Sequence, residues 1–198
     1  MTKGASTTTL TSSKNPSTVG QAVTLTATIG PAGPPVPTGT VAFTSNGTSI
    51  TGCSAVTVTA SRTAACTAST LAKGTDTIKA TYSGSTSYTG SSATLTQTVN
   101  ADPSTTTLAS SKNPSTVGQA VTLTATIGPA GPPVPTGTVA FTSNGTTITG
   151  CSAVTVTASR TAACTTSSLA KGTDTIKATY SGNSTYAGSS GTVTQTVN

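Results

Sequence analysis

The second half of this chain repeats the first almost residue for residue. Leu10 recurs as Leu108 and Tyr82 recurs as Tyr180, in each case 98 positions later. About ten of the paired positions differ, and most of those changes are small or conservative. A copy of this length can bury its own core, so the repeat predicts two tandem domains and not the short units of a solenoid. The parent protein is expected to contain further copies.

Each copy is organised around one segment, residues 71–84, which returns unchanged as residues 169–182. Ile78, Ala80 and Tyr82 alternate in it with polar residues. This period of two is typical of a strand with one buried face. The alternation predicts a central strand in each copy, with a large tyrosine side chain packed at its end.

Other short alternating segments precede and follow this strand, and glycine, proline and asparagine separate them. The predicted strands of the first copy are residues 7–11, 20–29, 39–44, a segment through Ile50, 55–59, 63–67, the segment ending at Tyr82, and 93–99. Asn46-Gly47 predicts a tight hairpin turn. No segment has a helical period. Seven or eight short strands in about 100 residues favour an all-β chain of two tandem immunoglobulin-like β-sandwich domains.

Composition agrees with ordered β structure and narrows the function. Hydrophobic residues are 33% and charged residues 6% of the chain, whereas disorder combines low hydrophobicity with high charge. The net charge is +6, but the bases are scattered and Trp is absent, so we expect no nucleic acid partner. No run of 18 apolar residues is present, so we expect no membrane span in this segment of the protein.

Four motifs in each copy resemble those of the bacterial immunoglobulin-like repeat family. They are Thr-Thr-Thr-Leu, Val-Gly-Gln-Ala-Val-Thr-Leu-Thr-Ala-Thr, Pro-Thr-Gly-Thr-Val-Ala-Phe, and Leu-Ala-Lys-Gly-Thr-Asp-Thr-Ile-Lys-Ala-Thr-Tyr-Ser-Gly. The resemblance covers nearly all of both copies and implies a spacer or adhesive role in large secreted and surface proteins. Two features depart from the family pattern. Each copy has two cysteines, and Ser85 or Asn183 stands where the family often has an aspartate, which argues against calcium binding between domains.

The four cysteines form one pair in each copy, Cys53 with Cys66 and Cys151 with Cys164. An even count in a β-rich chain of secreted type favours a disulfide within each repeat. The alternative is two small buried thiols. Since the chain has no His, neither a Cys-His zinc site nor a Cys-His nucleophile is available.

Catalysis has few candidate residues. Glu and His are absent, and Asp76 and Asp174 are lone carboxylates in separate copies. No paired acid and base can form within one domain, so the sequence predicts a protein that is not an enzyme and holds no cofactor.

These observations lead to a domain plan and to two functional alternatives. Residues 1–5 are expected to be an expression start without order, 6–100 the first domain, 101–104 a short linker, and 105–198 the second domain. The leading hypothesis is a disulfide-stapled extracellular or cell-surface spacer whose partners are the neighbouring repeats. The alternatives are a module that binds carbohydrate or a host protein through loops 30–37 and 83–92, and a subunit of a self-assembling fibre. Because binding modules usually expose aromatic rings, exposure of Tyr88 and Tyr186 separates the first alternative from the spacer.

Overall fold

The computed structural model describes residues 2–32, 34–129 and 133–198. The chain divides into two compact units, residues 1–100 (unit 1) and 101–198 (unit 2). The described residues contain strands, turns and loops, and none of them forms a helix that is long and apolar enough to cross a membrane. The predicted fold class, two tandem immunoglobulin-like β-sandwiches, is confirmed.

The described residues of unit 1 form nine strands, most of them at the positions that the alternation predicts. They are β1 (Thr7–Ser12), β2 (Ser17–Thr18), β3 (Val23–Gly30), β4 (Thr40–Ser45), β5 (Thr48–Ser49), β6 (Val56–Thr57), β7 (Thr63–Ala68), β8 (Gly74–Tyr82) and β9 (Ser91–Asn100). One sheet has the order β1-β3-β7, and the other has the order β2-β9-β8-β4-β5, with β6 also paired to β4. The short β2 was not predicted from the sequence. Its two residues are too few to show a period.

Unit 2 repeats this architecture, with eight strands in the part of it that the structure describes. They are β10 (Thr105–Ser110), β11 (Val121–Gly128), β12 (Thr138–Ser143), β13 (Thr146–Thr147), β14 (Val154–Thr155), β15 (Thr161–Thr166), β16 (Gly172–Tyr180) and β17 (Ser189–Val197). The sheets have the orders β10-β11-β15 and β13-β12-β16-β17, with β14 also paired to β12. The counterpart of β2 is a single parallel bridge between Ser115 and Val197.

The core of each unit lies between its two sheets and consists of the alternate residues of the long strands. In unit 1 the fully buried side chains include Leu25, Ile29, Phe43, Ile78 and Tyr82. Their partners in alternation, mostly threonine, face outward, which explains how a chain of low hydrophobicity still builds a closed core. Leu95 was predicted to point inward and is half-buried against the core.

The Asn46-Gly47 turn joins β4 to β5 in the predicted manner. Asn46 has a φ of 48° and Gly47 a φ of 82°, the left-handed values that a two-residue hairpin turn requires at both positions. Few residues other than glycine and asparagine adopt this conformation readily. The dipeptide therefore fixes the register of the hairpin, in which Ser45 pairs with Thr48.

The chain passes from unit 1 to unit 2 through very few residues. Asn100 still pairs with Thr18 in unit 1, and Asp102 already forms a parallel bridge with Tyr186 in unit 2. Ala101 lies between these two hydrogen-bonded positions. At the start of unit 1, Gly4 pairs with Tyr88 in the same way as Asp102 pairs with Tyr186. The domain boundaries predicted above, 1–5 and 101–104 included, stay a prediction of the sequence, and Met1 lies outside the described residues.

Candidate functional site

The cysteines are joined as Cys53–Cys66 and Cys151–Cys164. Cys66 lies in β7, which belongs to the three-stranded sheet of unit 1. Cys53 lies in the loop beyond β5, where its carbonyl oxygen accepts a hydrogen bond of 2.9 Å from the backbone N–H of Phe43 in β4. The disulfide therefore connects one sheet to a loop that is bonded to the other sheet. Both cysteines are buried, and no free cysteine remains in the described residues.

The loop tyrosines are not an exposed aromatic platform. Tyr88 is 6% exposed and Tyr186 is 3% exposed. The hydroxyl of Tyr88 donates a hydrogen bond of 2.9 Å to the carbonyl oxygen of Pro35, and the hydroxyl of Tyr82 donates one of 2.5 Å to the carbonyl oxygen of Thr38. The rings of Tyr88 and Tyr82 therefore anchor the end of the proline-rich loop to the sandwich and are unavailable to a ligand at the surface. Residues 33 and 130–132 of the two proline-rich loops lie outside the described residues.

Among the described residues, one buried carboxylate in each unit occupies a core position of the central strand. Asp76 in β8 is 5% exposed, and its Oδ1 accepts hydrogen bonds from Asn46 Nδ2 at 2.7 Å and from Ser45 Oγ at 3.1 Å. Its Oδ2 is buried and has no hydrogen-bond partner among the described residues. Asp174 repeats this arrangement with Asn144 in unit 2. Since one carboxylate faces amide and hydroxyl donors only, the arrangement holds the hairpin turn against β8 and contains no acid–base pair.

A shallow cleft of about 390 Å³ lies beside Asp76 at this end of unit 1. Half of the residues that line it carry a hydroxyl group, and Ile50 and Leu71 are among the others. A similar cleft of about 370 Å³ lies beside Asp174. Within the described part of the chain, no three His, Cys, Asp or Glu side chains come together in a way that could hold a metal ion.

A second buried polar residue, Gln97 in β9, is completely inaccessible to solvent. Its Oε1 accepts a hydrogen bond of 2.7 Å from Ser12 Oγ. Its Nε2 lies 2.9 Å from the carbonyl oxygen of Lys14 and 3.2 Å from Ser17 Oγ. Gln195 makes the corresponding contacts in unit 2. One amide side chain therefore fastens the segment that links β1 to β2 onto the last strand of the unit.

Sequence reasoning missed this glutamine, although the sequence carries a signal for it. Gln97 lies between Leu95 and Val99 in the alternation of the last strand, at an inward position. Most polar side chains at core positions are hydrogen-bonded, because burial of an unpaired polar group is costly. The signal predicts a buried amide, but its partners around Lys14 are more than 80 residues away in the chain and could not be identified from the pattern.

The family model described as "Bacterial Ig-like domain (group 3)" matches residues 10–100 and 107–198 of the chain. No curated protein matches the chain at a significant level. The sequence match therefore covers both repeats almost completely and comes from the family model alone.

Several solved structures are similar in fold at low sequence identity. The fibronectin(III)-like modules of Clostridium thermocellum CbhA are 18% identical with a TM-score of 0.37, and the alignment covers 96% of this chain and 94% of that one. The Yersinia pseudotuberculosis adhesin InvE is 23% identical with a TM-score of 0.45, covering 95% of this chain and 58% of the adhesin. The Escherichia coli adhesin FdeC is 15% identical with a TM-score of 0.36, covering 96% and 64%. At these low TM-scores, the family membership rests on the sequence match.

Proposed function

Because the chain belongs to the bacterial Ig-like domain family (group 3), we propose that it is a non-catalytic structural spacer of an extracellular or surface protein. The observation that carries this proposal is that the tyrosine, aspartate and cysteine side chains make their contacts within each unit. The loop tyrosines hold the proline-rich loop, the buried aspartates hold a turn, and the disulfides join one sheet to a loop that is hydrogen-bonded to the other. A spacer needs closed, self-sufficient units, and these contacts close each unit.

The disulfides support the extracellular placement. Disulfides persist in oxidising compartments and are rare in reducing ones. Each copy has one pair, and both pairs are buried. We therefore place the protein in an oxidising, extracellular environment as part of the proposal. The proposed partners of each repeat are the neighbouring repeats.

The sequence of the join supports a spacer of defined length. Residues 99–105 contain Pro103 and no glycine, so they lack the composition of a flexible linker. Pro103 fixes its own φ and favours an extended Asp102. A short, stiff join between strands at opposite poles of an immunoglobulin-like sandwich favours an end-to-end array over a folded-back pair.

Small-angle X-ray scattering on the monomeric chain tests this proposal. Strands of about 7–9 residues at roughly 3.3 Å per residue predict about 35–45 Å for one unit and about 80 Å for two units end to end. A maximum dimension of about 50 Å would indicate a side-by-side pair and would contradict the spacer role. A concentration series in the same experiment separates the fibre alternative, because a self-assembling subunit would gain mass with concentration.

A matched variant sharpens the experiment. Replacing Pro103 with Gly introduces the flexibility that the natural join lacks. We expect Pro103→Gly to broaden the distance distribution while each unit keeps its melting temperature. An unchanged distribution would show that the join does not set the spacing of the two units.

A further inference from the structure

The first and last segments of unit 1 run parallel to each other along their whole length. At one end, the backbone of Gly4 bridges that of Tyr88, with hydrogen bonds of 2.8 Å and 2.9 Å to the residues on either side of the tyrosine. At the other end, Ser17 pairs with Val99 in the parallel pairing of β2 with β9. We call the contact of residues 4–19 with residues 87–100 the terminal seam of unit 1.

Side chains connect the terminal seam between its two ends. Near the Gly4 end, Ser6 Oγ and Thr8 Oγ1 each lie 2.7 Å from Ser91 Oγ. Near the other end, Gln97 holds the segment around Lys14 through the contacts described above.

Asn15 adds two further hydrogen bonds to this seam. Its Nδ2 donates to the carbonyl oxygen of Thr96 at 2.7 Å, and its Oδ1 accepts from the backbone N–H of Thr98 at 3.0 Å. The side chain of Asn15 therefore pairs with β9 as a strand backbone would. Backbone and side-chain hydrogen bonds together span the seam from one end to the other.

Unit 2 has the same seam between residues 102–117 and 185–198. Its bonds again run from a backbone bridge at Asp102 to one at Ser115. The intervening side-chain bonds are those of Ser104 and Thr106 with Ser189, of Ser110 with Gln195, and of Asn113 with the backbone of Thr194 and Thr196. Every polar residue of the first seam that makes these bonds is preserved in the second copy.

We propose that the terminal seam is a mechanical clamp, which gives each unit a further function: resistance to tension applied along the chain. The inference deepens the proposed spacer role and rests on it, since a spacer between a surface and another domain transmits tension through its two termini. The physical reason is the parallel direction of the two segments. In each seam the chain enters at one end of the first segment and leaves at the opposite end of the second.

Tension on the two termini therefore slides the two segments past each other. All hydrogen bonds of the seam are then loaded together, because each bond lies across the direction of sliding. If the force acted on two points at the same end of the seam, the bonds would instead open one after another. Each hydrogen bond contributes only modestly to net stability, so the number of bonds broken at the same time sets the resistance of the seam.

The decisive experiment compares two pulling directions on the full chain by single-molecule force spectroscopy. Handles at the two termini load both seams in shear, and we expect two unfolding events of nearly equal force. Handles at Ala120 and at the C-terminus load the seam of unit 2 from one end, since the exposed Ala120 follows the first segment of that seam. We expect unit 2 to unfold at severalfold lower force in this second geometry. Equal forces in both geometries would overturn the clamp.

A matched pair of variants separates the clamp from ordinary stabilisation. Gln97→Met keeps the size of the side chain and removes its seam bonds, whereas Val41→Ala removes a buried contact in β4, outside the seam. With both variants pulled from the termini, we expect Gln97→Met to lower the force of one of the two events. Val41→Ala is expected to leave the force nearly unchanged although it lowers the melting temperature of the same unit. The proposal would be contradicted if the unfolding force fell in proportion to the melting temperature in both variants alike.

The force experiment and the scattering experiment can fail separately. A compact particle in scattering with shear-resistant units would remove the spacer role and leave the clamp as a property of each unit. An extended particle whose units unfold equally easily in both pulling directions would leave the spacer role and remove the clamp. The unmodified seam of unit 2 serves as the internal reference in every experiment on Gln97.

Discussion

The two units carry the same fold, but one position in the last strand differs in a way that changes backbone packing. Unit 1 has Ala93 in β9, whereas unit 2 has Gly191 at the matching position of β17. A Cβ atom added at Gly191 would collide with the backbone oxygen of Thr106 in β10. Thr106 is buried and its counterpart Thr8 is half-buried. The loss of one methyl group thus coincides with a closer approach of the first strand to the last.

The loop before each buried tyrosine shows the opposite behaviour. Ser85 Oγ accepts a hydrogen bond of 3.1 Å from the backbone N–H of Tyr88. In unit 2, Asn183 Oδ1 accepts one of 2.7 Å from the backbone N–H of Tyr186. Two different side chains close the same turn because each places an oxygen over the same backbone donor. The substitution on the loop preserves a hydrogen bond to the backbone. The substitution in the packed strand is instead accommodated by a closer approach of the neighbouring backbone.

The largest expected effect is the truncation of the tyrosine at the end of each central strand. Tyr82→Ala and Tyr180→Ala should each destabilise their own unit by about 3–5 kcal/mol, the usual cost of truncating a buried aromatic side chain. Because the two residues are equally buried and make the same hydrogen bond, the two losses should be equal. Denaturant unfolding, with one transition shifted and the other retained, measures both.

Unequal losses would break the equivalence of the two cores. Tyr82→Phe is the control, because it keeps the ring and removes only the hydroxyl. It should cost about 1 kcal/mol, the net value of one hydrogen bond. A loss below about 1 kcal/mol for Tyr82→Ala would contradict the burial of the ring.

Removal of a disulfide should have the next largest effect. The double variant Cys53→Ser with Cys66→Ser should lose about 3 kcal/mol in unit 1, since the cross-link no longer restricts the unfolded chain. The variant of Cys151 and Cys164 should lose the same in unit 2, because both pairs are separated by 13 residues. Intact mass of the oxidised chain checks the premise: four free thiols in folded protein would contradict both cross-links.

Exchange of the Ala93 and Gly191 residues tests the packing difference directly. Gly191→Ala should destabilise unit 2 by about 1–3 kcal/mol, the cost of overpacking, because the new methyl group meets backbone and not a movable side chain. The reverse change, Ala93→Gly, should cost unit 1 only about 0.5–1 kcal/mol through the greater freedom of the unfolded chain. Thermal unfolding of the two variants compares them, and a harmless Gly191→Ala would show that β10 can withdraw freely.

The smallest effect concerns alkaline pH. Burial raises the pKa of Tyr180 above its ordinary value of 10.0, and the negative charge of Tyr186 raises it further. Because the folded state disfavours the phenolate, this contribution to stability is complete below the unfolded pKa and is lost as the pH rises through the folded one. Ultraviolet titration of the folded chain should show Tyr180 ionising later than a free tyrosine. Tyr180→Phe should remove that late step, and its persistence in the variant would contradict the assignment.

Much of the fold could be predicted from the sequence because strand alternation is a local property. The period of two in the segment ending at Tyr82 fixed which side chains are buried, and Asn46-Gly47 fixed a hairpin turn. The repeat fixed the number of domains, and the family motifs agreed with the fold. All of these signals lie within short stretches of chain, where sterics and solvent exposure decide the structure.

The contacts that connect distant segments were decided only by the tertiary structure. Burial of Tyr88 depends on a hydrogen bond to Pro35, and the role of Gln97 depends on Lys14 and Ser12. No local sequence pattern identifies which of these residues pair, because a hydrogen bond across a sandwich depends on how its two sheets are brought together. The sequence by itself determined the longer strands, the Asn-Gly hairpin turn and the repeat. The parallel terminal seam and the fastening of the loops follow from the closure of the sandwich, which places the first and last strands of each unit side by side.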